Sequence, residues 1–161
     1  MTHIPATVDD AALSPLDARY VGVLRIRAAL WAAVLVAAAI IVDSAAPLVA
    51  GILTLPALLG ALVLVVVLPR RQYRRWGYRL DGDRLRVVQG LVVLSDAIVP
   101  FSRVQHIDVR QGPLERLRGL GQLTLYTAGT HNSSVSLPGL SFSHAMAMRE
   151  AIRAHIRQDA A

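Results

Sequence analysis

Between positions 28 and 68 the chain carries one charged side chain, Asp43, among forty-one residues. A chain of 161 residues holds about one domain, and one small water-soluble domain has no interior large enough to cover such a stretch. The stretch divides in two. Ala28–Val42 is fifteen uncharged residues, extendable back to Ile26, and Leu48–Leu68 is twenty-one, with Asp43–Pro47 as the break. As helices, 26–42 and 48–68 measure roughly 26 and 32 Å against a hydrocarbon core of about 30 Å. The second spans easily, and the first spans if Arg25 and Arg27 snorkel to the interface. A cleaved signal peptide does not explain a second, longer apolar run. Pro47 and Pro56 interrupt any single buried helix, and a re-entrant hairpin is the remaining alternative. The expectation is a two-helix transmembrane hairpin over 26–68, preceded by an N-terminal segment, 1–25.

Two spans put both ends of the hairpin on one side. Arg19, Arg25 and Arg27 precede it and Arg70, Arg71, Arg74 and Arg75 follow it, while the connecting turn holds only Asp43. Arginine excess in short flanks marks the cytoplasmic side. The expected location is therefore the cell membrane, multi-pass, with the N-terminus and everything after residue 69 cytoplasmic. Tyr73, Trp76 and Tyr78 fit an interfacial aromatic belt there, although two of them equally begin a strand.

From Arg70 onward the texture changes to short alternating segments. Trp76–Leu80 and Arg84–Gln89 flank Asp81-Gly82-Asp83, a hairpin signal. Leu91–Val99 follows and ends at Pro100. Arg103–Arg110 places Ile107 and Val109 on one face, His106 and Asp108 on the other. Pro113–Arg118 reads as a helical turn opened by proline, Gln122–Thr127 and Val135–Leu137 as strands. Ser141 or Ser143 can cap a final helix to about Arg157, with Phe142, Ala145, Met148, Ile152 and Ile156 on one apolar face. Six or seven strands closed by an amphipathic helix make a small half-open barrel or sandwich over 69–161, so the whole is an α+β protein.

Within that region the stretch Ile98–Gly129 resembles the bacterial PH-domain family called YdbS-like. Gly90, Pro100, Arg103, Val104, Gln105, Gln111, Leu114, Arg116, Leu117, Gly119, Leu120, Thr127, Ala128 and Gly129 fill the family's pattern, and Leu137–Leu140 supplies its closing piece. The resemblance covers roughly 73–158, and the preceding apolar pair also fits. It implies a PH-like β-barrel with a C-terminal helix, flanked by membrane helices, and says little about activity.

Signals for chemistry are sparse. All seventeen basic residues are arginine and cysteine is absent, which removes P-loop and Schiff-base lysines, thiol catalysis and Cys-ligated metals. His144 and His155 lie about 16 Å apart along a helix and cannot share a metal ion. His106 and Asp108 share a strand face and form a base–orienter candidate, without a Gly-x-Ser-x-Gly elbow or a His-Glu-x-x-His helix beside them. Gly119-Leu120-Gly121 opens a strand and reads as a turn, not a nucleotide loop. The polar loop Gly129–Ser134 reads as solvated. No catalytic residue, metal or cofactor is expected.

Charge says more. The chain carries a formal +6, but residues 70–161 carry fourteen arginines against seven acidic residues, a net of +7. If the second helix continues past Pro69, Arg70, Arg71, Arg74 and Arg75 spread over about 140° of one side. This cluster sets topology, and with Trp76 it is the candidate membrane-surface or lipid contact. The loop that holds phosphoinositides in eukaryotic PH domains corresponds to the acidic Asp81–Asp83, so that recognition does not carry over. Nucleic acid is disfavoured, since no basic motif interleaved with stacking aromatics occurs. The leading reading is a non-enzymatic integral membrane protein that binds a protein partner at the inner membrane surface, a related membrane-flanked protein or a second copy. Gly51, Ala57, Gly60 and Ala61 offer small surfaces for helix packing. An anionic-phospholipid sensor is the alternative, and an accessory subunit of a membrane enzyme or transporter the third.

Overall fold

The computed structural model describes residues 13–45, 51–91, 94–128 and 134–159. It begins with a two-residue strand β1 (Ser14–Pro15) and two long helices, α1 (Tyr20–Ala45) and α2 (Thr54–Arg74). Strands β2 (Gly77–Asp81), β3 (Arg84–Gln89) and β4 (Ser95–Pro100) follow, then a 3-10 turn (Phe101–Arg103) and β5 (Val104–Arg110). A short helix α3 (Pro113–Leu117), strands β6 (Leu120–Thr127) and β7 (Ser134–Ser141) and helix α4 (Phe142–Asp159) complete it. All pairings are antiparallel, in a four-stranded sheet β1-β2-β3-β4 and a three-stranded sheet β5-β6-β7. This is the expected hairpin, barrel and closing helix.

The helix bounds differ from the expected 26–42 and 48–68. Helix α1 starts at Tyr20 because Asp17 prepares it: the carboxylate accepts the backbone N–H of Arg19 at 2.9 Å and its guanidinium at 2.7 Å. That arginine holds the Asp17 carboxyl below the usual carboxylate range. Helix α2 begins at Thr54, and it runs through Pro69 to Arg74. Residues 48–50 and Pro47 lie outside the described residues. Asp43, the lone charge of the apolar stretch, caps α2 from the end of α1, accepting the N–H of Thr54 at 2.9 Å and its hydroxyl at 2.7 Å. Orphan N–H groups at a helix start need such acceptors.

The segment before the hairpin is part of the barrel. Leu16, Tyr20, Val23 and Leu24 belong to the same buried cluster as Leu85, Leu123, Leu125, Leu137 and Ile152. The boundary at residue 25 expected from charge and hydropathy therefore falls inside a packed unit. Tyr20 lies over Gly139, whose φ of +71° favours glycine and where a Cβ would meet the ring at 2.7 Å. Asp17 donates its N–H to the Gly139 carbonyl at 2.8 Å. Strand β7 is also longer than the expected Val135–Leu137. It tolerates Pro138 because β7 is an edge of its sheet, where a missing N–H costs no ladder bond.

The remaining strands follow their sequence signals. The turn Gly82–Asp83 joins β2 to β3 with Asp81 opposite Arg84. Strand β4 starts at Ser95, later than the expected Leu91, and residues 92–93 lie outside the described residues. In α4, Ala145, Met148 and Ile152 are buried as their spacing requires, while Phe142 remains exposed. Ser141 caps the helix, its hydroxyl accepting the His144 N–H at 3.3 Å. The N-terminal helices beyond Ala28 are different. Leu30, Trp31, Val34, Leu35, Leu55, Leu58, Leu59 and Leu62 are all exposed, giving two helices long and apolar enough to cross a membrane.

Candidate functional site

The arginine cluster keeps its helical arrangement. Because α2 continues past Pro69, Arg70, Arg71 and Arg74 project from one exposed side of its last turns, and Arg75 caps its end. Arg75 donates to the Leu91 carbonyl at 2.7 Å. Among the described residues, Arg70, Arg71 and Arg74 face no carboxylate. Trp76 does not join them at the surface. It packs on the core with its ring centroid 6.2 Å from that of Tyr20, and its buried indole nitrogen has no acceptor among the described residues. Tyr73 donates its hydroxyl to the Leu16 carbonyl at 2.8 Å, and Tyr78 lies buried in β2. The three aromatics, read as an interfacial belt or as the start of a strand, thus join the end of α2 to the barrel, with Tyr78 in strand β2.

The residues that carry the family pattern do not converge on one point. Pro100 ends β4, Arg103 is exposed beside it, and its carbonyl accepts the Ala128 N–H at 3.2 Å. Gln111 donates to the Leu120 carbonyl at 2.8 Å, and Leu114 packs against the core. Gly119 adopts φ +65°, and its carbonyl accepts the Phe142 N–H at 2.9 Å. These positions shape the β5–α3–β6 turn and tie it to α4. Arg116 is exposed, and Leu117 is 83% exposed, an apolar side chain facing outward beside it. Gly129, His131 and the loop 129–133 lie outside the described residues.

Gln105 stands apart from the rest of the pattern. It sits where the β5–β6 register shifts between Val104 and His106, and it is exposed. With His106 it lines one side of a cleft of about 330 Å³, and Glu150, Arg153, Ile156 and Arg157 of α4 line the other. Glu150 is engaged by Arg149 at 2.8 Å and Arg153 at 3.6 Å. Val104, Ile107 and Ile156 give the cleft its apolar lining, and Arg153 and Arg157 bring two guanidinium groups to it. A second recess, between β2 and α4, brings the Tyr78 hydroxyl to 3.1 Å from His144 Nε2. Burial pushes that phenol above its ordinary pKa.

The base–orienter candidate does not form. Asp108 is taken by Arg110 at 2.6 Å, and that hydrogen bond holds its carboxyl below the usual range. His106 packs on Tyr126 instead, ring centroids 5.8 Å apart. His155 sits edge-on to Phe101. Among the described residues, no three metal-ligating side chains come together.

One polar contact had no clear sequence signal. Glu115 in α3 is buried and pairs with Arg27 of α1 at 2.5 Å. Arg27, which could snorkel to let the first helix span, also anchors the hairpin to α3. A buried carboxylate requires such a partner, but their separation of eighty-eight positions hides the pair from any local pattern.

Comparison with known proteins agrees with this architecture. The family described as Bacterial PH domain matches residues 21–156, from the first turn of α1 to the end of α4. The UPF0699 transmembrane protein YdbS of Bacillus subtilis (strain 168) is 33% identical over 104 residues, 65% of this chain and 64% of that protein. The UPF0699 transmembrane protein YdbT of the same organism is 27% identical over 82 residues, 50% of this chain and 17% of that one. The match thus spans less than two thirds of either relative. A crystal structure of a protein with a pleckstrin-homology domain from Shewanella loihica PV-4 aligns over 52% of this chain and 73% of that one, with 16% identity and a TM-score of 0.40. With a family match that takes in both helices, both sheets and the closing helix, the chain belongs to the bacterial PH domain family.

Proposed function

We propose that this chain is a non-enzymatic membrane protein that holds its PH-like barrel at the cytoplasmic face and docks a protein partner there, in a scaffolding or assembly role. The observation that carries this reading is the basic-rimmed cleft between β5 and α4, on a barrel that shares its core with the membrane hairpin. A shared core fixes the orientation of the barrel relative to the bilayer, so a second membrane protein meets the cleft at a constant height. The arginine flanks on both sides of the hairpin support the cytoplasmic orientation. The partner is a related membrane-flanked protein or a second copy of this chain. A photo-crosslinking residue at Gln105, introduced into the full chain in native membranes, tests it. The expected result is a discrete adduct with one membrane protein, lost when Arg153 and Arg157 are both changed to Glu and absent when the crosslinker sits at Asp83. Monomer alone, from Gln105 as from Asp83, overturns the reading.

The uncompensated arginines favour a second reading, in which Arg70, Arg71 and Arg74 sense anionic lipid. Each basic group near such a surface is worth about 1 kcal/mol. Its test needs the full chain, because a fragment starting at residue 70 lacks Leu16, Tyr20 and Val23 from its core. Changing the three arginines to Gln should weaken partition of the reconstituted chain into anionic domains of a mixed bilayer. Unchanged partition removes the idea.

A further inference from the structure

Where the hairpin meets the barrel, residues of α1 and α2 line another cleft of about 330 Å³. Its two polar side chains lie toward one end: Arg27 and Gln72, beside Leu24 of the core, line the end nearest the barrel, and Leu68, Leu64 and Trp31 line the part further out. From Arg27 to Trp31 is about 6 Å of helix rise, and from Gln72 to Leu64 about 12 Å. Trp31 is 73% exposed.

The polar end is cationic and has unused hydrogen-bonding capacity. Arg27 pairs with Glu115 through Nη2, and its side chain is still 53% exposed. A guanidinium carries five donors, and among the described residues Glu115 is the one acceptor Arg27 meets. Such a gradient, cation and amide first and aliphatic wall next, matches a phospholipid at the junction of its phosphate and acyl chains. A zwitterionic head group would bring its own cation against the Arg27 guanidinium, whereas an anionic one would not. The volume falls at the lower end of ligand pockets, about 300–1,000 Å³, enough for a phosphate and the first part of a chain whose remainder stays in the bilayer.

We propose that this cleft seats one anionic phospholipid, its phosphate on the free side of the Arg27 guanidinium and the Gln72 amide, its acyl chain along Leu68, Leu64 and Trp31. The site is independent of protein docking at the β5–α4 cleft and uses none of the three arginines assigned to diffuse lipid sensing.

Trp31 is a built-in reporter. In the full chain carrying Trp76→Phe, reconstituted in phosphatidylcholine bilayers, dibrominated phosphatidylglycerol should quench Trp31 more than an equal fraction of dibrominated phosphatidylcholine. The expected preference is about fivefold. It should fall to near one in Arg27→Gln, persist in Arg70→Gln/Arg71→Gln, and persist or rise in Glu115→Gln, which frees Arg27. Leu68→Phe fills the cleft while leaving the Arg27–Glu115 pair intact, and it should abolish the preference even if Arg27→Gln fails to fold. Equal quenching by the two lipids, a preference that survives Leu68→Phe or Arg27→Gln, or its loss in Glu115→Gln overturns the proposal. So does its erasure by inorganic phosphate at constant ionic strength, which would assign the site to a free anion.

Discussion

Leu59 and Leu125 are the same side chain in opposite surroundings. Leu59, on α2, is 67% exposed, and Leu125, in β6, is fully buried among the two sheets, α4 and the first turns of α1. In the barrel, leucine is removed from water by other side chains, at about 1.5–3 kcal/mol for each fully buried one. In the hairpin there is little protein to do this, and the exposed apolar surface suits a bilayer as its solvent. Two regions that both use leucine thus follow different rules: barrel positions are chosen for shape, and hairpin positions for being apolar.

The largest effect that would break this contrast comes from matched truncations. Leu125→Ala should cost about 2–5 kcal/mol, and Leu59→Ala less than about 0.5 kcal/mol, read by equilibrium unfolding of the full chain in mild detergent. A Leu59 cost as large as that of Leu125 would mean that this face of α2 packs on protein.

Tyr20 sharpens where one region gives way to the other. It belongs to α1 but sits in the barrel core, so Tyr20→Ala should destabilise the barrel by about 3 kcal/mol. Circular dichroism in the β region during melting reports it. A barrel that melts unchanged would separate the first turns of α1 from the domain.

Asp43 is the hairpin's own device, and its role is local. Asp43→Ala should cost about 1 kcal/mol through the lost cap, seen as faster hydrogen exchange at Leu53 and Thr54 with exchange in the barrel strands unchanged. Exchange that rises equally in β6 would show that the two regions unfold as one.

The smallest effect is a pH slope carried by the barrel surface. Asp96 accepts from Arg86 at 2.6 Å, and that hydrogen bond lowers its folded pKa. A carboxyl with a depressed folded value adds stability that is complete above its unfolded value near 4 and lost as pH falls through the folded one. Asp96→Asn should therefore flatten stability between about pH 5 and pH 3 and shift it by less than about 1 kcal/mol at neutral pH. An undiminished slope in the variant would assign acid sensitivity elsewhere, Asp108 with Arg110 being the next pair.

Much of the architecture was legible because its signals are local. The Gly82 turn, the alternation of Leu85 and Val87, the proline opening α3 and the Ala145–Met148–Ile152 face each act over a few residues, and each element formed where they stand. The errors share one cause. The expected strand stops at Leu137, before Pro138, and only the edge position of β7 and the ring of Tyr20 above Gly139 let it run on to Ser141. Trp76 reads as an interfacial aromatic, and only the approach of α1 draws it inward. Of the candidate sites, the arginine cluster was visible because it is a run along one helix, whereas the two clefts join residues far apart in the chain.

By itself the sequence determined that two long apolar helices come first and that a small strand-rich domain with a closing helix follows them. Hydrophobic length and periodicity are properties of the chain, and they act whatever the packing. Only the tertiary structure decided where the hairpin ends and the barrel begins. Burial of Leu16, Tyr20 and Val23, the pairing of Arg27 with Glu115, and both clefts depend on side chains meeting across tens of residues, and hydropathy carries no record of such encounters.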